Sequence, residues 1–218
     1  MFSEYTDALF EFVSSGGLEP EIRKARSEFF AEVKDVYAEE EFFEERINAF
    51  LEWYCIDRTV GKTGRTPLLL FLEKSHATLP AGTLDYLNGF REARHALFEI
   101  RGMGEGRVEV RDIFSREEFS VTERRPLGTL KKGDVCETRL VPYRSEIFFS
   151  RTFLVFPREA RRVILSEVRR ARKARRLDAP AFMRTLAVLW VRQRRYKGVD
   201  PRDLFSPAEL AKPNSLAV

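Results

Sequence analysis

HALFEIRGMGEGRVEVRDIFSREEFSV, residues 95–121, is the stretch that decides the fold. Its apolar residues alternate in pairs, Phe98 and Ile100, Val108 and Val110, Phe119 and Val121, with charged or polar residues between. A period of two is that of a half-buried strand, whereas the residues before Ala93 repeat every three or four, as helices do. The intervening GMGEG and SREE are turn formers. Two more apolar segments follow: Val135 to Val141, which mixes its faces, and Ile147 to Phe156. RPLGTLKKGD and PYRSE punctuate them. Five short strands at about ten-residue spacing predict a small antiparallel barrel or a strongly curved sheet. Closure also removes the exposed edges that five open strands would leave.

Outward from this centre the chain reads as helices. Ser3 is placed to cap a short helix bearing Tyr5 and Leu9 and closed by Gly16-Gly17. Pro20 sits in a first turn, followed at helical spacing by Ile22, Ala25, Phe29, Val33 and Val36. A third helix, over about residues 41–57, aligns Phe43, Ile47, Phe50, Leu51 and Tyr54 and exposes the acids Glu39 to Glu45. Thr66 caps PLLLFLEK, and Gly82 or Thr83 opens another helix. Past Pro157 the helical period returns, with a seam of Val163, Ile164, Val168, Ala171 and Leu177. Asp178 caps a last long helix with Pro180 in its first turn and Leu186, Leu189 and Trp190 facing inward. The expected class is α+β: a helical region over 1–92, a small barrel-like domain over 93–156, a basic helical pair over 157–206 and a flexible tail over 207–218.

Composition bounds the rest. With 218 residues, 44% of them hydrophobic, the chain can bury a full core, which excludes general disorder. Cys55 and Cys136 are too few for a disulfide scaffold and too far apart for a zinc knuckle. The longest apolar stretches, Pro67 to Leu72 and Leu186 to Val191, fall far short of the roughly 20 residues a membrane helix needs. MFSEYTDALF carries acids before any hydrophobic run and is no secretory signal. These features point to a reduced, cytoplasmic protein without a membrane partner.

Charge is divided between two poles. Residues 1–60 hold six bases and fifteen acids, a net of −9; residues 157–197 hold fourteen bases and three acids, a net of +11. Arg158, Arg162, Arg169, Arg172 and Arg176 follow at steps of four, seven, three and four, which places them on one helical face. Arg184, Arg192 and Arg195 line up on the last helix. Twelve of the fourteen bases are Arg, whose planar fork suits phosphate bidentately. Three uses of this face stay open: a polyanion such as nucleic acid, pairing with the acidic pole or a partner protein, and a plain solvated surface enriched in Arg by composition bias.

Other constellations have simpler readings. Gly61-Lys62-Thr63 lacks the earlier glycine of a phosphate loop, since Ile56 stands there, and reads as a helix-helix connection. GMGEG joins two strands, not a strand to a helix, so it is a hairpin turn and not a dinucleotide fingerprint. His76 and His95 have no partners at ligand spacing, so no metal is expected. Cys55 reads as a small hydrophobe, while Lys131 and Lys132 near Cys136 would lower its pKa slightly. No catalytic residue is assigned and no cofactor is expected. A second surface is the barrel face around Tyr143, Arg144, Phe148 and Arg151, where adjacent Phe148 and Phe149 point one aromatic outward unless helices cover it. Covering helices are the simpler reading.

Asn48-Ala-Phe-Leu-Glu-Trp-Tyr-Cys-Ile-Asp-Arg58 with Thr66-Pro-Leu-Leu-Leu-Phe-Leu72 resembles an uncharacterised group of bacterial proteins in which a helical region precedes a small β domain. The stretches His95 to Ile100, Val108 to Ile113, Phe119 to Arg124 and Gly133 to Val141 fit the same resemblance. Some members are similar to proteins ending in a Cys-rich zinc motif of the SEC-C type. This chain has no Cys after 136, so that module and its metal are absent. The resemblance covers about half of the chain, from 48 to 156; it implies the fold and no activity, and leaves the basic helices outside.

The expected function is that of a non-enzymatic adaptor acting on another protein through charged helical surfaces, with possible self-association. Sequence-nonspecific binding of RNA or DNA through the Arg-rich helices is the alternative, and a small cysteine-dependent enzyme the second alternative.

Overall fold

The alternating pairs form a meander in the computed structural model of the chain, which describes residues 3–15, 17–33, 35–124, 128 and 130–210. Strands β1 (Arg94–Gly104), β2 (Arg107–Asp112) and β3 (Glu118–Thr122) run antiparallel, with Val110 opposite Ile100 on one side and Phe119 on the other. With β4 (Val135–Tyr143) and β5 (Glu146–Val155) they close a barrel in the order β1-β2-β3-β5-β4. Ile100 donates its amide to the Asp134 carbonyl at 2.9 Å and accepts from the Gly133 amide at 2.8 Å. The class is α+β around five strands, as the periodicity predicts. Glu105 and Gly106 turn the β1–β2 hairpin with φ of 52° and 74°, a left-handed pair that matches the strand twist. The β1 register slips between Ile100 and Gly102, so Arg101 sits in a bulge. The mixed faces of Val135 to Val141 have a simple cause: all seven residues are buried.

By compactness the chain divides into residues 1–94 with 140–152, and residues 95–139 with 153–218. In the first unit α1 (Ser3–Ser15) packs on α2 (Glu19–Phe30), α4 (Pro67–Ser75) and α5 (Ala81–Gly89). Pro20 opens α2, and Thr66 caps α4 by accepting the Leu69 amide. Helix α3 (Phe43–Glu52) passes at Trp53 into a π-helical turn ending at Asp57. The apolar stripe continues through Tyr54, which hides that change of pitch from the sequence. Phe29, Phe30, Phe50 and Trp53 form an aromatic cluster, with Phe29 5.6 Å from Phe50 and 5.3 Å from Trp53. Two charged residues join this interior. Arg46 lies over the Phe29 ring at 4.8 Å, and Glu52 accepts the Arg151 and Thr152 amides at 3.0 Å each and the Ser150 hydroxyl at 2.9 Å.

In the second unit α6 (Arg158–Lys173) buries Ala160, Ile164 and Val168, and α7 (Ala179–Arg195) buries Leu186, Leu189 and Trp190. Asp178 caps α7 by accepting the Ala181 amide at 2.9 Å, and the Trp190 indole donates to the Val155 carbonyl at 2.9 Å. Short turns α8 (Pro201–Leu204) and α9 (Pro207–Leu210) pack on α6 and α7. Leu210 is buried where the sequence reading begins a tail; residues 211–218 lie outside the described residues. Helix α6 stops earlier than the seam through Leu177 implies. The Arg175 amide donates to the Arg172 carbonyl and the Arg176 amide to Ala171, both at 3.0 Å, while Arg175 takes φ of 52°. This is a Schellman end with arginine in the glycine position, so Arg176 and Leu177 leave the helix. Among the described residues no helix is long and apolar enough to cross a membrane.

Candidate functional site

The site grows from one buried carboxylate. Glu99 is 1% exposed, although it stands in β1 where alternation would send it to solvent. It faces Arg111 across the β1–β2 ladder and accepts from that guanidinium at 2.6 Å. The bulge brings Arg101 to 3.2 Å, and α6 brings Arg161 to 2.5 Å. Burial alone would raise the Glu99 pKa, but the bonds from Arg161 and Arg111 outweigh it and hold the carboxyl below its ordinary range. One carboxylate therefore gathers three guanidiniums and neutralises one of them. The N-terminal end of α6 is held the same way: Arg158 grips Asp134 with two nitrogens, at 2.7 and 3.1 Å, which raises the Arg158 pKa.

Beyond these anchors a groove of about 270 Å³ opens beside α6. Arg111 and Arg116 stand on the strand side, Arg169 and Arg172 on the helix, and Ile113, Leu165 and Val168 supply an apolar floor. Arg169 and Arg172 are one helical turn apart and share a face with Leu165. Arg116 is exposed and takes φ of 72°; its amide donates to the Asp112 carbonyl at 2.8 Å. The Asp112 carboxylate fixes the same turn by accepting the Phe114 and Ser115 amides at 2.7 and 3.1 Å. Arg116, Arg169 and Arg172 have no carboxylate partner among the described residues. Arg111 is shared with Glu99 and lies opposite Glu118 in the β2–β3 ladder. Four cations thus edge an apolar floor, with Glu99 supplying countercharge to Arg111.

The eight arginines expected on the two basic helices separate into groups. Arg169 and Arg172 line the groove, and Arg162 is exposed nearer the start of α6 on the same face. Arg176 is exposed too, but from the turn beyond the helix. Arg158 is committed to Asp134, and Arg192 lies 3.8 Å from Glu209. Arg195 is engaged within the chain, and Arg184 is exposed on α7. Arg111 and Arg116 escaped the sequence reading. Their signal was present, a base on the outward side of Val108-Glu109-Val110-Arg111 and another in SREE, but only barrel closure brings a β2 turn beside α6.

The barrel-face residues are occupied within the first unit. Tyr143 packs edge-on against Tyr86 at 5.7 Å, and Phe148 lies 6.3 Å from Tyr143. Arg151 binds Asp7 at 2.8 Å, and Arg144 lies over its neighbour Tyr143. The thiols do not suit nucleophilic chemistry. Burial drives both Cys55 and Cys136 far above the ordinary thiol range, which corrects the expectation that Lys131 and Lys132 lower Cys136. His95 lies 3.1 Å from Glu137 across β1 and β4. Among the described residues no group of three or more His, Cys, Asp and Glu could hold a metal ion.

No curated protein and no solved structure matches the chain. A family model does, over residues 19–193, and so takes in α6 and most of α7, which the resemblance over 48–156 left outside; it shows no link to SEC-C proteins. The chain belongs to that family, described as a family of unknown function, DUF7986.

Proposed function

We propose that the chain is a binding protein whose ligand is the phosphate backbone of nucleic acid, held through the α6 face and the turn that follows it without reading sequence. The observation that carries this is the set Arg162, Arg169, Arg172 and Arg176, none with a carboxylate partner among the described residues. Guanidiniums left unneutralised, and Arg in place of Lys, suit bidentate phosphate contacts. A protein-binding adaptor is the second reading, supported by Tyr37, which is 62% exposed beside the exposed acids Glu39, Glu41 and Glu44.

The test is affinity for a random-sequence oligonucleotide over a range of salt. Replacing Arg169, Arg172 and Arg176 together by Ala weakens binding and flattens the salt slope by about two to three units, roughly 0.7–0.9 per lost phosphate contact. Unchanged affinity in that variant overturns the proposal. If salt instead changes the mass in solution, with no nucleic acid retained on purification, the adaptor reading replaces it.

A further inference from the structure

We infer that the groove between the β2–β3 turn and α6 is a subsite for a terminal phosphate monoester, the 5′-phosphate end of a nucleic-acid strand. This deepens the nucleic-acid reading and rests on it. An extended helical face can follow a backbone of diesters, each carrying one charge. The groove differs: it is concave, about 270 Å³ in volume, and edged by Arg111, Arg116, Arg169 and Arg172. A terminal phosphate carries about −1.5 to −2 at neutral pH and three free oxygens, so it can meet several guanidiniums at once. An internal diester offers two free oxygens and one charge to the same set.

The geometry favours a compact ligand in two further ways. The Arg111 guanidinium is steadied by its 2.6 Å bond to Glu99, and the backbone that carries Arg116 is fixed by its turn. Arg116 holds a left-handed φ of 72°, a conformation that a non-glycine residue keeps only where its surroundings impose it. The apolar floor of Ile113, Leu165 and Val168 lowers the local dielectric, which strengthens each ionic contact, and gives the terminal sugar or base an unpolar surface to rest on.

The experiment compares two short single-stranded oligonucleotides of one sequence, labelled at the 3′ end and bearing a 5′-phosphate or a 5′-hydroxyl. Fluorescence anisotropy should give the phosphorylated strand about tenfold tighter binding. Arg116→Ala with Arg172→Ala removes that preference, and Lys at both positions restores the salt slope but only part of the preference, because Lys lacks the fork. Thermal melts of each variant show that it is folded. Equal affinity for both strands, still salt-sensitive, overturns the end-phosphate subsite and leaves backbone binding standing. Failure of both strands to bind overturns the nucleic-acid reading and the subsite with it. A phosphoserine peptide that binds in an Arg116- and Arg172-dependent way, while the strands show no end preference, overturns the subsite in favour of a protein ligand.

Discussion

Glu99 shows how far one side chain's role can depart from its local pattern. Its polar position in an alternating strand marks it for solvent, yet it is buried beneath α6 with Arg101, Arg111 and Arg161 around it. Its folded pKa lies below the ordinary 4.5, so its stabilising contribution is complete above that value and is lost as pH falls through the lower, folded pKa. Glu99→Gln should therefore lower stability at neutral pH by about 2 kcal/mol, since it leaves partly solvated guanidiniums without their carboxylate. It should also flatten the loss of stability on acidification below about pH 4.5. Urea melts at neutral and acidic pH measure both effects; an acid limb as steep as the parent's would show that Glu99 is not the group being titrated. Glu52 and Arg46 escaped the sequence reading for the same reason. Each interrupts an apolar stripe with a charge, and only tertiary partners (strand amides for Glu52, aromatic rings for Arg46) make burial tolerable.

At the scale of elements, helix starts marked by a capping side chain or a proline were legible, as were the ends of α1 before Gly16-Gly17 and of the turn at Asp57, but the end of α6 was not. Thr66, Asp178 and Pro20 announce their helices because capping is local chemistry between a side chain and amides a few residues away. Helix α6 ends against its periodicity, through a left-handed residue that no glycine advertises. The close approach of α5 to β4 was equally hidden. A Cβ on Gly89 would drive into the Pro142 carbonyl and press on Val141 at 3.2 Å, and backbone cannot swing aside as a side chain can. Gly89→Ala should cost about 1–3 kcal/mol, in spite of the better helix propensity of Ala. A variant melting with the parent would mean that the helix can slide away without loss.

For the molecule as a whole, the class was readable because period-two patterning over three segments, followed by two more short apolar ones, leaves few architectures open. The divided charge was readable too, since it is a count along the chain. What counting could not foresee is where the countercharge sits. Several acids of the first unit are held by bases of that unit: Arg58 holds Glu21 and Glu28, Arg26 holds Asp35, and Arg151 holds Asp7. In the second unit, Glu99 and Asp134 pair with Arg161 and Arg158, while Arg169 and Arg172 are left beside the groove. The basic face is thus defined by which arginines the barrel claims first.

Arg116 holds a backbone shape that glycine would adopt without strain. Swapping it for glycine removes one cation from the groove and relaxes the turn in the same stroke, so Arg116→Gly should melt no lower than the parent, with a gain of up to about 1 kcal/mol, while gripping its ligand less well. A fall in melting temperature would mean the turn is content as it is. A chain that becomes sturdier as it becomes a poorer binder marks a position kept for what it holds and not for how well it folds.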